Sequence, residues 1–312
     1  MKVVSFMQSV PSLSKSIGTE KELILKYFAE GVRANADTGV LHYKTHLIQD
    51  ADVAVIQGWV HDKWTSPHLQ TRKKVIDYYL QNQKHVISAD ANLFLYANKT
   101  NKPHHFLRYS FDGIFPNTGI YCDTEIDTKR WQKISNQLGI KLSPQKNLGN
   151  HILLCCQRNG GWSMGNLPVI NWIEHTVLQL RRFTDRPIIL RAHPGDKKSS
   201  EYLDPTNKRI KRLVNVSISA PGKPIEKDLE NAWAVVNHNS SSIVGPIIYG
   251  YHSFITDPKK SQCADVSNTD FSLIENPIVF DRQSWLERIC MFHWSFDELK
   301  NGDCWRHMRK FI

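Results

Sequence analysis

The chain has 312 residues, 41% hydrophobic and 22% charged, a composition that reads as a soluble globular protein long enough for two domains of ordinary size. No apolar run reaches about 18 residues, so no segment is expected to span a membrane; the opening MKVVSFMQSV carries one lysine and too short an apolar stretch for a secretory leader. Lys and Arg number 40 against 30 Asp and Glu, and the net charge of +10 favours a polyanionic partner, nucleic acid or an anionic membrane surface, although such a balance also occurs without one.

In chain order, KVVSFMQ reads as a strand and TEKELILKYFAEGVRAN as an amphipathic helix, with Thr19 as its cap and Glu22 three residues on. ADVAVIQGW is a continuous apolar run, as expected of a strand buried on both faces. SPHLQTRKKVIDYYLQNQ reads as a helix and HVISA as the next strand, and this βαβαβ order implies a parallel sheet covered by helices. SPQKNLGN, residues 143–150, is polar with Pro and Gly and reads as a linker. The alternation then restarts: HILLCC is a strand, LPVINWIEHTVLQLRRF a helix, PIILRA a strand, and KDLENAWAVV a helix running into a strand. The last stretch, DRQSWLERICMFHWSFDELKNG, is helical and rich in aromatic residues.

Six cysteines are scattered, and the one adjacent pair, Cys155-Cys156, lies inside an apolar run, which suits reduced buried thiols and a cytoplasmic setting. With no CxxC and no HExxH, no zinc site is expected. The DxD at Asp50-Ala51-Asp52 precedes a strand and reads as a turn or capping feature.

Open α/β sheets bind ligands beyond the carboxyl ends of their strands. Three loops of the second half follow strands. In CCQRNGGWSMG, Gln157 and Arg158 leave the strand, Gly160 and Gly161 let backbone approach a ligand, and Trp162 and Ser163 follow. In IILRAHPGD, Arg191 and His193 alternate with Ala192 and point the same way, while Pro194 stiffens the turn. In AVVNHNSSSIVGPIIYG, Asn239, Ser240, Ser241 and Ser242 precede a helix, where one serine caps and its neighbours offer hydroxyls to a phosphate. Taken singly, each has a plain alternative: an ordinary βα turn, an internally bonded histidine, a cap. The three together point to an anion. Neither a Walker lysine motif nor GxGxxG is present, so kinase and dehydrogenase readings lose support.

R-x-H-P after a strand, with NSSS opening a helix after AVV, resembles nucleotide-sugar-dependent glycosyltransferases of the GT-B fold. The pattern is similar to bacterial sialyltransferases and capsule-polysaccharide transferases. The order and placement of QRNGGWSM, RAHP and NHNSSS also resemble tailed-phage enzymes that glycosylate hydroxymethylated pyrimidines in DNA. The motifs occupy roughly residues 150–260. The resemblance implies an α/β, GT-B-like fold of two doubly wound Rossmann-like domains facing a central cleft. Residues 1–147 would form the acceptor domain and 148–284 the nucleotide-sugar domain, with 285–312 a helical segment packing across the interdomain region. It implies a UDP-sugar donor, with a CMP-sugar as the other option, and no metal. His193, Arg191, Gln157 and Arg158 would serve the donor nucleotide, and Ser240, Ser241 and Ser242 its leaving phosphate.

An inverting transfer needs a base for the acceptor hydroxyl. YSFDGIFPNTG offers Asp112 before Gly113, similar to the acidic motif of sialyltransferases but with one acid where that family tends to have two. An Asx-turn is the alternative there. Asp90 and Asp62, also near strand ends, rank second and third. For the acceptor, Lys63, Trp64, Arg72, Lys102 and Arg108, with further lysines and the aromatics Trp59, Phe94 and Phe106, read as a surface for duplex DNA bearing 5-hydroxymethylcytosine. The alternative is solvated helix faces and core aromatics. Competing functions are a capsule or lipopolysaccharide glycosyltransferase at a membrane face and a non-catalytic nucleic-acid-binding protein.

Overall fold

The computed structural model describes residues 1–11, 17–44, 47–60, 65–96 and 106–312. They form two compact units. One comprises Met1–Leu95, the chain leading to Leu138, and Leu286–Ile312; the other is mainly Gly139–Trp285.

The first unit begins with β1 (Lys2–Phe6), α1 (Ile17–Ala34), β2 (Thr38–His42), β3 (Val53–Gln57), α2 (Pro67–Gln81), β4 (His85–Asp90), β5 (Phe106–Phe111) and α3 (Thr128–Leu138). Helix α1 starts at Ile17, so Thr19 lies within it instead of capping it. Side chains alternate across the sheet. Val3, Val53 and Val55 pack with Phe28 and Trp305 on one face. Val4, Ala54 and Ile56 pack with Val75 and Tyr79 of α2 on the other. This is the doubly wound arrangement that the apolar runs imply.

The second unit contains β6 (His151–Cys155), α4 (Val169–Leu180), β7 (Ile188–Arg191), α5 (Lys208–Lys211), β8 (Val216–Ile218), α6 (Ile225–Leu229), β9 (Ala232–Asn237), α7 (Val244–Ile248) and β10 (His252–Ile255). Its strands are parallel in the order β10-β9-β6-β7-β8. Read from β8, this is the 3-2-1-4-5 order of a Rossmann-like sheet, with its switch point between β6 and β9. Residues 143–150, expected as a linker, are bonded into this unit: Ser143 N–H donates to Ile248 O (2.9 Å) and Lys146 N–H to Gly250 O (2.8 Å). All six cysteines are free and buried. Burial pushes the Cys155 thiol up to about 12, which makes it a poor nucleophile.

The chain ends with α8 (Arg282–Cys290), β11 (His293–Ser295), α9 (Phe296–Lys300) and α10 (Asp303–Met308). Expected as a helical segment across the interdomain region, this stretch forms these helices and also supplies a strand to the first unit. Strand β11 pairs antiparallel with β5, closing the order β11-β5-β4-β3-β1-β2. The first sheet is therefore mixed: β1–β4 are parallel, and β5 runs antiparallel to both β4 and β11. Its parallel part has the order 2-1-3-4, with a switch point between β1 and β3.

His293 pins this return. It is wholly buried; Leu93 N–H donates to its Nε2 (3.2 Å) and its Nδ1 faces Ile289 O (2.7 Å). Burial lowers its pKa from 6.5 to about 3, so the fold holds a neutral ring. Between those values the unfolded chain takes up a proton that the folded chain refuses. Its contribution to stability is therefore complete above 6.5 and is lost as the pH falls toward about 3. Denaturant titrations across that window should show a slope of up to roughly 1.4 kcal/mol per pH unit from this ring. His293→Gln should remove that slope; identical slopes in both proteins would exclude His293 as the source.

Candidate active site

In the second unit the sheet order sets the three strand-end loops side by side, after β9, β6 and β7. Side-chain hydrogen bonds then join them. Gln157, buried after β6, donates through Nε2 to Asn239 Oδ1 (2.6 Å) in the loop after β9. Asn239 Nδ2 donates to Ser163 O (3.2 Å) and to Asp257 Oδ2 (3.0 Å) beyond β10. Asn159 N–H donates to Asp196 Oδ2 (2.9 Å) after β7, and Tyr202 Oη–H donates to the same oxygen (2.7 Å). Gly160 has φ +69°, a left-handed turn that glycine adopts without steric cost. Arg158 is exposed, Trp162 partly so, and Gly161 closes the turn by donating to Arg158 O (3.0 Å).

His193 is half-buried, and Gly195 N–H donates to its Nδ1 (3.0 Å). With Nδ1 accepting, the proton of the neutral ring sits on Nε2, which is therefore a donor. Burial lowers the pKa of this ring; the Arg158 charge lowers it further, and Asp196 opposes both. Pro194, exposed beside it, leads into the turn that Asp196 N–H closes on His193 O (2.9 Å). Ser240 is the cap of a 3-10 turn: its Oγ accepts from Ser242 N–H (3.2 Å). Ser240, Ser241 and Ser242 are all half-buried.

Arg191 does not join this group, which corrects its assignment to the donor phosphate. Its guanidinium bonds to the fully buried carboxylate of Asp228 and donates to Lys223 O (2.7 Å). A buried carboxylate requires such a partner, and the demand of Asp228 fixes the arginine.

In the first unit, Asp90 ends β4 at the carboxyl edge of the parallel strands. Its Oδ1 accepts from Ala91 N–H (2.7 Å) and its Oδ2 from Arg108 (2.6 Å). Asp112 stands at the opposite edge. Because β5 runs antiparallel, its end lies beside the start of β4: Asp112 accepts from Val86 N–H (2.8 Å) and pairs with His85 Nδ1 (2.7 Å) at φ +60°. The ranking of Asp112 above Asp90 is thus reversed, and the turn alternative describes it better. Asp62, Lys63, Trp64 and Lys102 lie outside the described residues.

The two described residues of the expected acceptor surface are engaged elsewhere. Arg72 is buried, donating to Ser9 O (2.8 Å) and Gln57 Oε1 (3.1 Å), and Arg108 is committed to Asp90. Trp59, Phe94 and Phe106 are core residues. Lys73 pairs with Asp77, and Lys84 with Asp50. Asp52 accepts from Lys2 N–H (2.7 Å), so both acids of the DxD are engaged locally.

The sequence reading passed over Asn159, Asp196 and Asp257, which hold the loops together. Asp196 closes the IILRAHPGD stretch just after a proline-glycine turn, a position where a carboxylate commonly bonds nearby backbone. Among the described residues no group of three or more His, Cys, Asp and Glu is arranged to hold a metal, and no helix is long and apolar enough to cross a membrane.

No protein-family model matches the sequence, and no curated protein matches it. Among solved structures the chain is similar to KpsC beta Kdo 2,7 transferase of Thermosulfurimonas dismutans, at 11% identity over 97% of this chain and 99% of that one, with a TM-score of 0.51. It is also similar to the beta Kdo 2,4 transferase of the same organism's KpsC, at 14% identity over 88% and 89%, with a TM-score of 0.50. At these identities the likeness is one of fold: two Rossmann-like α/β units of the GT-B glycosyltransferase type.

Proposed function

We propose that the chain is a nucleotide-sugar-dependent glycosyltransferase with a carbohydrate acceptor. The second unit would bind the donor, and the first would carry the acceptor with Asp90 as its base. The observation carrying this reading is the joining of three strand-end loops at the β6/β9 switch point, with the Nε2–H of a neutral His193 and the Ser241 and Ser242 hydroxyls among them. Glycosyl transfer expels a nucleotide phosphate, and fixed donors aimed at the growing negative charge lower the barrier without a metal. UDP is the first choice of nucleotide and CMP the second. The fold shared with two Kdo transferases supports a glycan over DNA as acceptor. Of the residues that suggested a DNA surface, Arg72, Trp59, Phe94 and Phe106 are interior and Arg108, Lys73 and Lys84 are paired, while Lys74 is exposed.

The test has two stages. UDP or CMP should raise the melting temperature, by the equivalent of about 2.7 kcal/mol at a hundredfold excess over Kd. A mass-spectrometric transfer assay should then add a sugar to oligosaccharide acceptors and none to hydroxymethylated duplex DNA. No thermal shift with either nucleotide would favour the non-catalytic reading, and mass gained on DNA alone would restore the 5-hydroxymethylcytosine reading.

A further inference from the structure

The two units treat an arginine at the carboxyl edge of their sheets differently. In the second unit Arg191 is neutralised by the buried Asp228. In the first, Arg72 reaches the β1/β3 switch point, where it is 6% exposed and bonds only to neutral oxygens, Ser9 O just after β1 and Gln57 Oε1 at the end of β3. Gln57 N–H in turn donates to Ser9 Oγ (3.1 Å), so both strand ends are drawn in around the guanidinium. Gly58, at φ +78°, makes the approach possible: a Cβ there would stand 2.9 Å from Arg72 Nη1. Among the described residues no carboxylate is in ion-pair contact with Arg72. The acid whose charge acts on it, Asp90, is bonded to Arg108.

Two further basic side chains, Lys21 and His68, are near enough for the Arg72 charge to act on them. His68 precedes Arg72 by four residues, so it occupies the same face of α2 one turn nearer its start. Lys21 lies in the opening turns of α1, the helix that follows β1. Both are half-buried. Burial lowers the pKa of Arg72 to about 10, and burial and then the Arg72 charge lower those of Lys21 and His68. Desolvated like charges placed together are costly unless an anion compensates them. Among the described residues no carboxylate bonds to this group as Asp228 bonds to Arg191; the Asp90 charge that acts on Arg72 is shared with Arg108.

We infer that the β1/β3 switch point of the first unit is an anion site, with Lys21 and His68 donating to a phosphate or carboxylate group above the buried Arg72. On the proposed glycosyltransferase reading the anion belongs to the acceptor, which then carries a phosphate or a sugar acid near Asp90. The switch point of an open α/β sheet is where such a ligand is expected.

The test measures the thermal shift produced by inorganic phosphate, glucuronate and neutral glucose at constant ionic strength, in the wild type and in Lys21→Gln/His68→Gln. Both substitutions are at half-exposed positions, and Arg72 is left intact to keep Ser9 and Gln57 in place. Either anion should stabilise the wild type while glucose does not, and the variant should bind that anion about tenfold more weakly for each donor removed. A shift with phosphate alone identifies a phosphate-bearing ligand, and one with glucuronate alone a sugar acid. Equal shifts in wild type and variant, or none with either anion, would overturn the proposal. A UDP or CMP shift that survives in the variant reports the second unit separately. Its absence beside an intact anion shift would sink the transferase reading and leave the anion site standing.

Discussion

Asp90→Asn is expected to lower turnover about 10²–10⁴-fold, the usual worth of a positioned general base, with little change in folding. The amide is nearly isosteric and its oxygen can still accept from Ala91 N–H, as Asp90 Oδ1 does at 2.7 Å. What disappears is the negative charge beside Arg108 and the ability to take a proton. Asp112→Asn is the control. That carboxylate is occupied by His85 and Val86 at the amino edge of the sheet, away from the strand ends where a ligand sits. Asp112→Asn should turn over normally and, at most, lose stability through the His85 pair. Kinetics of both variants on one acceptor decide the matter: full activity in Asp90→Asn with loss in Asp112→Asn would reverse the assignment.

These two acids show which parts of the molecule the sequence exposes. Strands β1, β3, β4, β6 and β9 are largely apolar runs buried on both faces, and such runs are legible because burial dictates their composition. In the second unit β6, β7 and β9 are legible and an all-parallel βα alternation leaves them one direction, while the short edge strands β8 and β10 are not read from the sequence. In the first unit FLRYSF reads the same whichever way it runs. Only its pairing with β4 and with the distant HWS of β11 makes it antiparallel, and that reversal carries Asp112 to the wrong edge. Edge strand β2 is short and half-exposed and gives a weak apolar signal.

The candidate site divides in the same way. Loop positions after strands follow from local order, so the three strand-end loops are found. Side-chain partners do not follow from it. Arg191 and Arg72 look like free cations in the sequence because what fixes them lies 37 residues away at Asp228 in one case and 63 away at Ser9 in the other. Asp228 did carry a signal. An acid just before the apolar AWAVV, on a helix too short to turn it outward, is placed to be buried and therefore to require a cation. Arg72 carries the opposite signal. Among the described residues it bonds to neutral partners only.

His193→Ala is the second large effect, expected to cost about 10²–10³ in kcat, the loss typical of one preorganised donor to a developing charge. The pH behaviour separates this role from that of a base. Gly195 N–H occupies Nδ1, and burial lowers the pKa of the ring below its ordinary 6.5, so near neutral pH the Nε2–H is present and no proton is exchanged. Activity should therefore stay level on passing through 6.5 and fall only at more acid pH, where protonation breaks the Gly195 bond. His193→Gln, which keeps a donor near that position, should recover part of the lost rate; an alanine would recover none. A wild-type profile rising through 6.5, with no difference between the glutamine and alanine variants, would make His193 a base and not a donor. The thermal shift from UDP or CMP should shrink in His193→Ala by less than the rate does, because a group aimed at the leaving phosphate acts most strongly when the bond to the sugar is breaking.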